Sequence, residues 1–213
     1  MLNSDEVKGL YEDRRAGQYN RRIGHFNLTK RRSIERSKMS AGDSVIVFCC
    51  GTGLDFPYIQ KKVGPTGKIT GLDFSPNMLI AAERLVESEG WSNVELVEQD
   101  VQDLDERYDS RFDSAVCTLG LSIVPDYEQA YRKVCASVRV GGQVIIGDMK
   151  LAQGFKSIFN PLTVTLAKKF GGSFEGHDNV LKLSELMRQD LDDVIEEELM
   201  LGSYIILIGT KRA

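Results

Sequence analysis

Two short stretches hold the residues best suited to chemistry. Val45-Ile46-Val47-Phe48-Cys49-Cys50-Gly51-Thr52-Gly53 is an apolar run ending in a glycine-rich turn, and Ile69-Thr70-Gly71-Leu72-Asp73-Phe74-Ser75 is a second apolar run ending in an acid. The first reads as a buried strand opening into a helix, and the second as its parallel neighbour. In that arrangement the backbone approaches a ligand closely at the glycines, while the Asp73 carboxylate accepts hydrogen bonds from ribose hydroxyls. The chemistry implied is recognition of a nucleoside. A dinucleotide site asks for three glycines at G-x-G-x-x-G, but position 56 here is Phe. The loop by itself therefore does not choose the nucleoside.

These residues need a scaffold, and the rest of the chain reads as one. From residue 43 onward strand and helix patterns alternate. Strands are expected at Ser44 to Cys49, Lys68 to Asp73, Val94 to Glu98, Phe112 to Cys117 and Gln143 to Gly147. Helices are expected from Gly53 to about Lys62, from Ser75-Pro76 to Gly90, and from Asp126 to about Val138. Serine at the cap and proline at the first helical position are a strong helix start. Residues 5 to 39 read as two polar, basic helices separated near Gly24. Phe155, Phe159, Leu162, Val164 and Leu166 suggest an apolar helical cover, with the aromatic stripe Phe155, Phe159 and Phe170 read as core rather than as a lipid groove. The strands Val194 to Leu201 and Tyr204 to Gly209 are joined by Gly202-Ser203, a link short enough to permit antiparallel pairing alone. The expected architecture is an alternating α/β sheet, mostly parallel, closed by a terminal hairpin.

Composition narrows the function classes. The 213 residues, 42% of them apolar, can bury one full-sized core, most simply as a single domain. A net charge of -4 argues against a dedicated nucleic-acid binder. Residues 1 to 40 nevertheless carry ten lysines and arginines against five acids. A basic arm on an acidic body suits an anionic substrate or a membrane surface, although most charge runs are solvated helix faces. The four cysteines have no metal-pair spacing and only His25 and His177 could join them, so no metal is expected. Free thiols in apolar runs suit a reducing cytosol. The first thirty residues are too charged for a signal peptide, and no uncharged apolar run approaches a membrane span. A cytoplasmic protein, at most peripheral at an anionic membrane, is expected; its oligomeric state is not legible.

Taken together, residues 11 to 210 resemble the class I S-adenosylmethionine-dependent methyltransferases. Cys49-Cys50-Gly51-Thr52-Gly53, Gly71-Leu72-Asp73-Phe74-Ser75-Pro76-Asn77-Met78-Leu79, and Phe112-Asp113 with Gly120-Leu121 look like the quinone C-methyltransferases. The run Gly51 to Pro57, with Val63-Gly64-Pro65 and Gly202-Ser203-Tyr204, is similar to phosphatidylethanolamine N-methyltransferase-like proteins. The resemblance implies a Rossmann-like fold with a seven-stranded, mostly parallel sheet, an antiparallel C-terminal hairpin strand and helices on both faces. It divides the single domain of 1-213 into a basic helical cap (1-40), a cofactor-binding core (41-150), a helical substrate cover (151-190) and the hairpin (191-213).

The cofactor implied is S-adenosyl-L-methionine. Cys49, Cys50, Gly51, Thr52 and Gly53 would form the loop under its methionine part. Asp73 would bind the ribose, with Phe74 and Met78 on the adenine, Asp100 on the adenine amino group, Val101 beside it, and Thr118 near the sulfonium. Tyr11 and Tyr19 match a tyrosine pair that folds over the cofactor in related enzymes. Two positions depart from the family: Val47 stands where an acid is usual, and Cys49 replaces the first glycine.

The resemblance implies direct methyl transfer, which needs no protein nucleophile or metal, with Tyr19, His25 and Tyr11 as the candidate catalytic groups. His177 is a further candidate base, and Asp148 a candidate for substrate contact. The acceptor is a small or lipid-like molecule, with a phospholipid amine and a quinone precursor as the leading candidates. Two alternatives stay open: a non-catalytic cofactor-binding subunit, and an NAD-dependent oxidoreductase.

Overall fold

The structure, a computed structural model, describes residue 20 and residues 23–161, 164–165 and 174–213. A helix, α1 (Asn27–Glu35), precedes the first strand, β1 (Ser44–Phe48). Then follow α2 (Phe56–Val63), β2 (Lys68–Asp73), α3 (Pro76–Glu89), β3 (Val94–Glu98), β4 (Phe112–Thr118), α4 (Tyr127–Ser137) and β5 (Val138–Met149). The chain closes with α5 (Phe174–Asp190), β6 (Leu191–Leu199) and β7 (Tyr204–Lys211).

One seven-stranded sheet runs in the order β3-β2-β1-β4-β5-β7-β6. The strands from β3 to β5 pair in parallel, for example Val45 with Ile69 and with Ser114. β7 pairs antiparallel with both β5 and β6. The short link between the last two strands thus does what its length demands, although a helical turn at Met200–Gly202 takes the residues expected to extend β6. The strand order reverses at β1 and β4. A crevice at the carboxyl ends there is where open α/β sheets bind ligands.

Side chains alternate along each strand, so each face of the sheet owns its core. Ile46, Phe48, Val144, Ile146 and Leu207 pack with Tyr131 and Val134 of α4 and with Val180, Leu183 and Met187 of α5. On the other face, Val45, Val47, Ile145, Ile206 and Tyr204 pack with Phe26, with Ile34 of α1, and with Phe56 and Ile59 of α2. Val47 is fully buried in that second cluster. A carboxylate there would lie among apolar side chains, which makes Val the natural occupant.

Local boundaries differ from expectation where side chains compete with backbone. Residues 53–55 remain in the loop, so α2 begins at Phe56 and Asp55 is freed from the helix body. Ser75 stands at the start of α3 without giving it a side-chain cap. The apolar cover is corrected in part: in the turn Gly154–Phe159, Phe155 is 89% and Ile158 76% exposed, so this segment is no core. Leu162, Leu166 and Phe170 lie outside the described residues. Among the described residues no helix is long and apolar enough to cross a membrane.

Candidate functional site

The glycine loop leaves β1 in left-handed backbone, with φ of 51° at Cys49, 55° at Gly51 and 80° at Gly53. It is tied down by Cys50 N donating to Leu72 O (3.0 Å) and Gly53 N to Cys50 O (2.9 Å). Cys49 holds a conformation that costs an L-residue about 1–2 kcal/mol, which explains why glycine would be at ease there. Phe56, in the place of a third glycine, is fully buried. A Cβ on Gly53 would meet its ring at 2.7 Å, and one on Gly71 at 2.5 Å. Those two glycines make room for the aromatic ring, so helix and strand pack closely by another route.

Asp73 ends β2 with its carboxylate turned across the crevice. Its Oδ2 accepts from Gly51 N (2.8 Å) and its Oδ1 from Ser75 N (2.9 Å). Burial pushes its pKa up, while the backbone donors of Ser75, Gly51 and Phe74 pull it down. Beside it the Ser75 hydroxyl is buried and has no hydrogen-bond partner. Asp100 accepts from Gln102 N (3.0 Å) and Gln102 Nε2 (3.1 Å), which starts the turn Val101–Asp103. Val101 and Met78 are buried.

Thr118, at the end of β4, is 3% exposed and belongs to a group that no sequence spacing announced. Its hydroxyl donates to Asp55 Oδ2 (2.6 Å), and Lys30 Nζ of α1 donates to the same oxygen (2.8 Å) and to Thr118 Oγ1 (2.5 Å). The Lys30 and Asp55 side chains are 6% and 2% exposed. Asp55 Oδ1 is buried without any partner. The sequence pattern puts Asp55 inside a helix and Lys30 in a basic arm; the structure puts both in this buried cluster. The remaining arm charge is also partly answered by acids: Arg31 pairs with Glu35, and Arg32 and Arg36 both pair with Glu197 of β6.

One strand further along, Asp148 of β5 and His177 of α5 are both 4% exposed. Asp148 accepts from Ser122 N (3.1 Å) and Met149 N (2.8 Å), yet burial still raises its pKa. Burial lowers the pKa of His177, against the opposing pull of the Met149 backbone and the Asp148 and Asp178 charges. Its Nδ1 has no partner. Asn179 of the same helix donates to Ser122 O (3.0 Å), fixing the helix against the end of β4.

Of the catalytic candidates, Tyr11 and Tyr19 lie outside the described residues; His25 falls in the turn Gly24–Phe26, and its side chain is not among those described. The two thiols of the glycine loop are poor nucleophiles. Cys49 is raised well above the ordinary range by its hydrogen bond to Cys117 and by burial, and Cys50 by burial and by the Asp73 charge. Among the described residues no cluster of His, Cys, Asp and Glu suits a metal.

The crevice fits an adenosine cofactor with a charged tail. The cradle is backbone at Gly51 and Gly53, a buried hydroxyl at Ser75 stands unanswered beside Asp73, and a carboxylate oxygen at Asp55 stands unanswered near the loop. Residues 21–160 match the family model described as the ubiE/COQ5 methyltransferase family. A demethylmenaquinone methyltransferase of Lactobacillus johnsonii is 28% identical over 210 residues, 89% of this chain and 84% of that protein. One of Listeria monocytogenes is 31% identical over 147 residues, 68% of this chain and 62% of that protein. Among solved structures, an S-adenosylmethionine-dependent methyltransferase from Aquifex aeolicus superposes with a TM-score of 0.67 at 16% identity, covering 99% of this chain and 100% of its own. The Haemonchus contortus phospholethanolamine N-methyltransferase 2 gives 0.71 at 13% identity, covering 93% and 57%. At such identities these two structures establish the fold.

Proposed function

The chain belongs to the ubiE/COQ5 methyltransferase family and is an S-adenosylmethionine-dependent methyltransferase; from that premise we propose that its acceptor is a quinone precursor, methylated at a ring carbon. The observation that carries the acceptor is the likeness to a demethylmenaquinone methyltransferase along 89% of the chain. A phospholipid amine has less support. The basic arm that suggested an anionic headgroup spends Arg32 and Arg36 on Glu197. In this reading the chain is one domain, with Phe155 and Ile158 exposed beyond the end of β5 for contact with a prenyl tail or a membrane surface.

Bound S-adenosylmethionine supplies a methyl group on a positively charged sulfur, which departs as a neutral thioether. Asp73 and Ser75 hold the ribose, Val101 and Met78 flank the adenine with Phe74 and Asp100, and the loop Cys49–Gly53 underlies the methionine part. The protein's main contribution is alignment: holding the ring carbon in line with the methyl recovers part of the about 7–11 kcal/mol available from proximity. A hydroquinone ring attacks well once its hydroxyl has lost a proton. His177, kept neutral by burial, takes that proton on Nδ1, and the neighbouring Asp148 carboxylate stabilises the resulting imidazolium. After transfer the methylated ring carbon gives up its hydrogen as a proton and the ring oxygen regains one, which restores the aromatic ring.

The test is incubation of the protein with methyl-labelled cofactor and either reduced demethylmenaquinone or phosphatidylethanolamine, read by mass spectrometry. Label in the quinone is the expected result. Label in the phospholipid alone would overturn the acceptor assignment. Tight cofactor binding without transfer to either would favour a non-catalytic cofactor-binding subunit.

A further inference from the structure

We infer that the buried Lys30–Asp55 pair is the receptor for the amino-acid end of the cofactor, with Asp55 Oδ1 accepting from its α-ammonium and Lys30 donating to its α-carboxylate. This rests on the cofactor reading above and deepens it.

A dry ion pair is a poor way to stabilise a fold, because desolvation of both charges offsets their attraction. Such a pair also normally satisfies all its oxygens, since a bare buried acceptor carries the full cost of its lost hydration. Asp55 breaks that pattern. Oδ2 takes two strong bonds, from Lys30 and Thr118, while Oδ1 is buried and takes none. Lys30 Nζ makes three contacts, two of them short and the longest, to Thr118 O, at 3.5 Å, the one a ligand oxygen would replace most readily. One acceptor is thus left bare, beside a cation whose weakest bond is exchangeable.

Their position gives the pair a ligand. Asp55 lies two residues beyond Gly53, at the start of α2, and Thr118 ends β4, so the pair flanks the glycine loop on the side away from Asp73. Adenosine held at Asp73 directs its substituent along that loop. A zwitterion meeting a zwitterion there satisfies both charges of the ligand without changing the net charge of the buried group. Asp55 also stands on the face of the sheet that Val47 packs against, so the helix start supplies the carboxylate that β1 does not.

The experiment is calorimetry of Asp55→Asn and Lys30→Gln with two probes. S-adenosylhomocysteine carries the amino-acid end; 5′-methylthioadenosine has the same nucleoside and lacks it. In both variants S-adenosylhomocysteine should bind about 10- to 100-fold more weakly, with methylthioadenosine affinity unchanged; that unchanged affinity also shows that the variants are folded. Equal losses for both probes, or no loss for either, would overturn the assignment. Failure of the unsubstituted protein to bind either probe would instead overturn the cofactor reading on which it rests.

Discussion

Removing Lys30 while leaving Asp55 in place isolates the energetics of the buried group. In Lys30→Met the Asp55 side chain, 2% exposed, keeps one donor, the Thr118 hydroxyl at 2.6 Å, and its Oδ1 remains bare. Breaking a buried pair from one side leaves an uncompensated charge, which costs about 3–5 kcal/mol. Methionine fills most of the volume of the lysine stem, so little of the loss comes from packing. Replacing all three partners, as Lys30→Met, Asp55→Leu and Thr118→Val together, removes every polar side chain of the cluster and should return stability to within about 1 kcal/mol of the starting protein. Urea unfolding in the absence of cofactor measures both, with the denaturant slope checked for constancy. A single variant that loses less than about 1 kcal/mol at unchanged slope would show that water reaches Asp55, and the argument from an unsatisfied dry carboxylate would fail.

Other outcomes follow from the same geometry. Asp73→Ala removes the acceptor of both Gly51 N and Ser75 N together with the proposed ribose contact, so cofactor affinity should fall at least about 100-fold by calorimetry; unchanged affinity would refute the ribose assignment. Gly53→Ala must hold φ near 80° and press a methyl group into the Phe56 ring, so thermal unfolding should show a loss of about 1–3 kcal/mol. His177 has a folded pKa below its ordinary 6.5, so its contribution to stability is present above that value and is lost as pH falls from about 6.5 through the lower folded value. His177→Gln should therefore flatten the pH dependence of urea stability between about 7.5 and 5.5, and an unchanged slope would mean that the imidazole is not buried neutral. Cys50, buried and raised well above the usual thiol range, should resist iodoacetamide at pH 7.5 in the native protein and react on unfolding; rapid native alkylation would contradict its burial.

Asp148 and His177 are legible as residue types but not as a pair. Asp148 and His177 could be named from the sequence, one after a strand and one in an irregular region, but their shared surroundings could not. Helix α5 brings His177 to the end of β5 through packing of Val180, Leu183 and Met187, and that packing makes the imidazole dry. Tyr11 and Tyr19, by contrast, were singled out by resemblance to related enzymes and lie beyond the described residues.

The sequence by itself determined the alternating strands and helices, the glycine turn, the acid at the end of the second strand and the antiparallel close. Each of these is written within a few neighbouring residues, as a period of two, a proline at a helix start or a link too short for a crossover. The tertiary structure alone decided that Lys30, Asp55 and Thr118 meet, across separations of 25 and 63 residues. It also decided that the Phe56 ring fills the space left by Gly53 and Gly71 and that the Ser75 hydroxyl is left unbonded. The reason is physical: a charge pattern along the chain fixes neither burial nor partner, and both depend on which faces the sheet brings together.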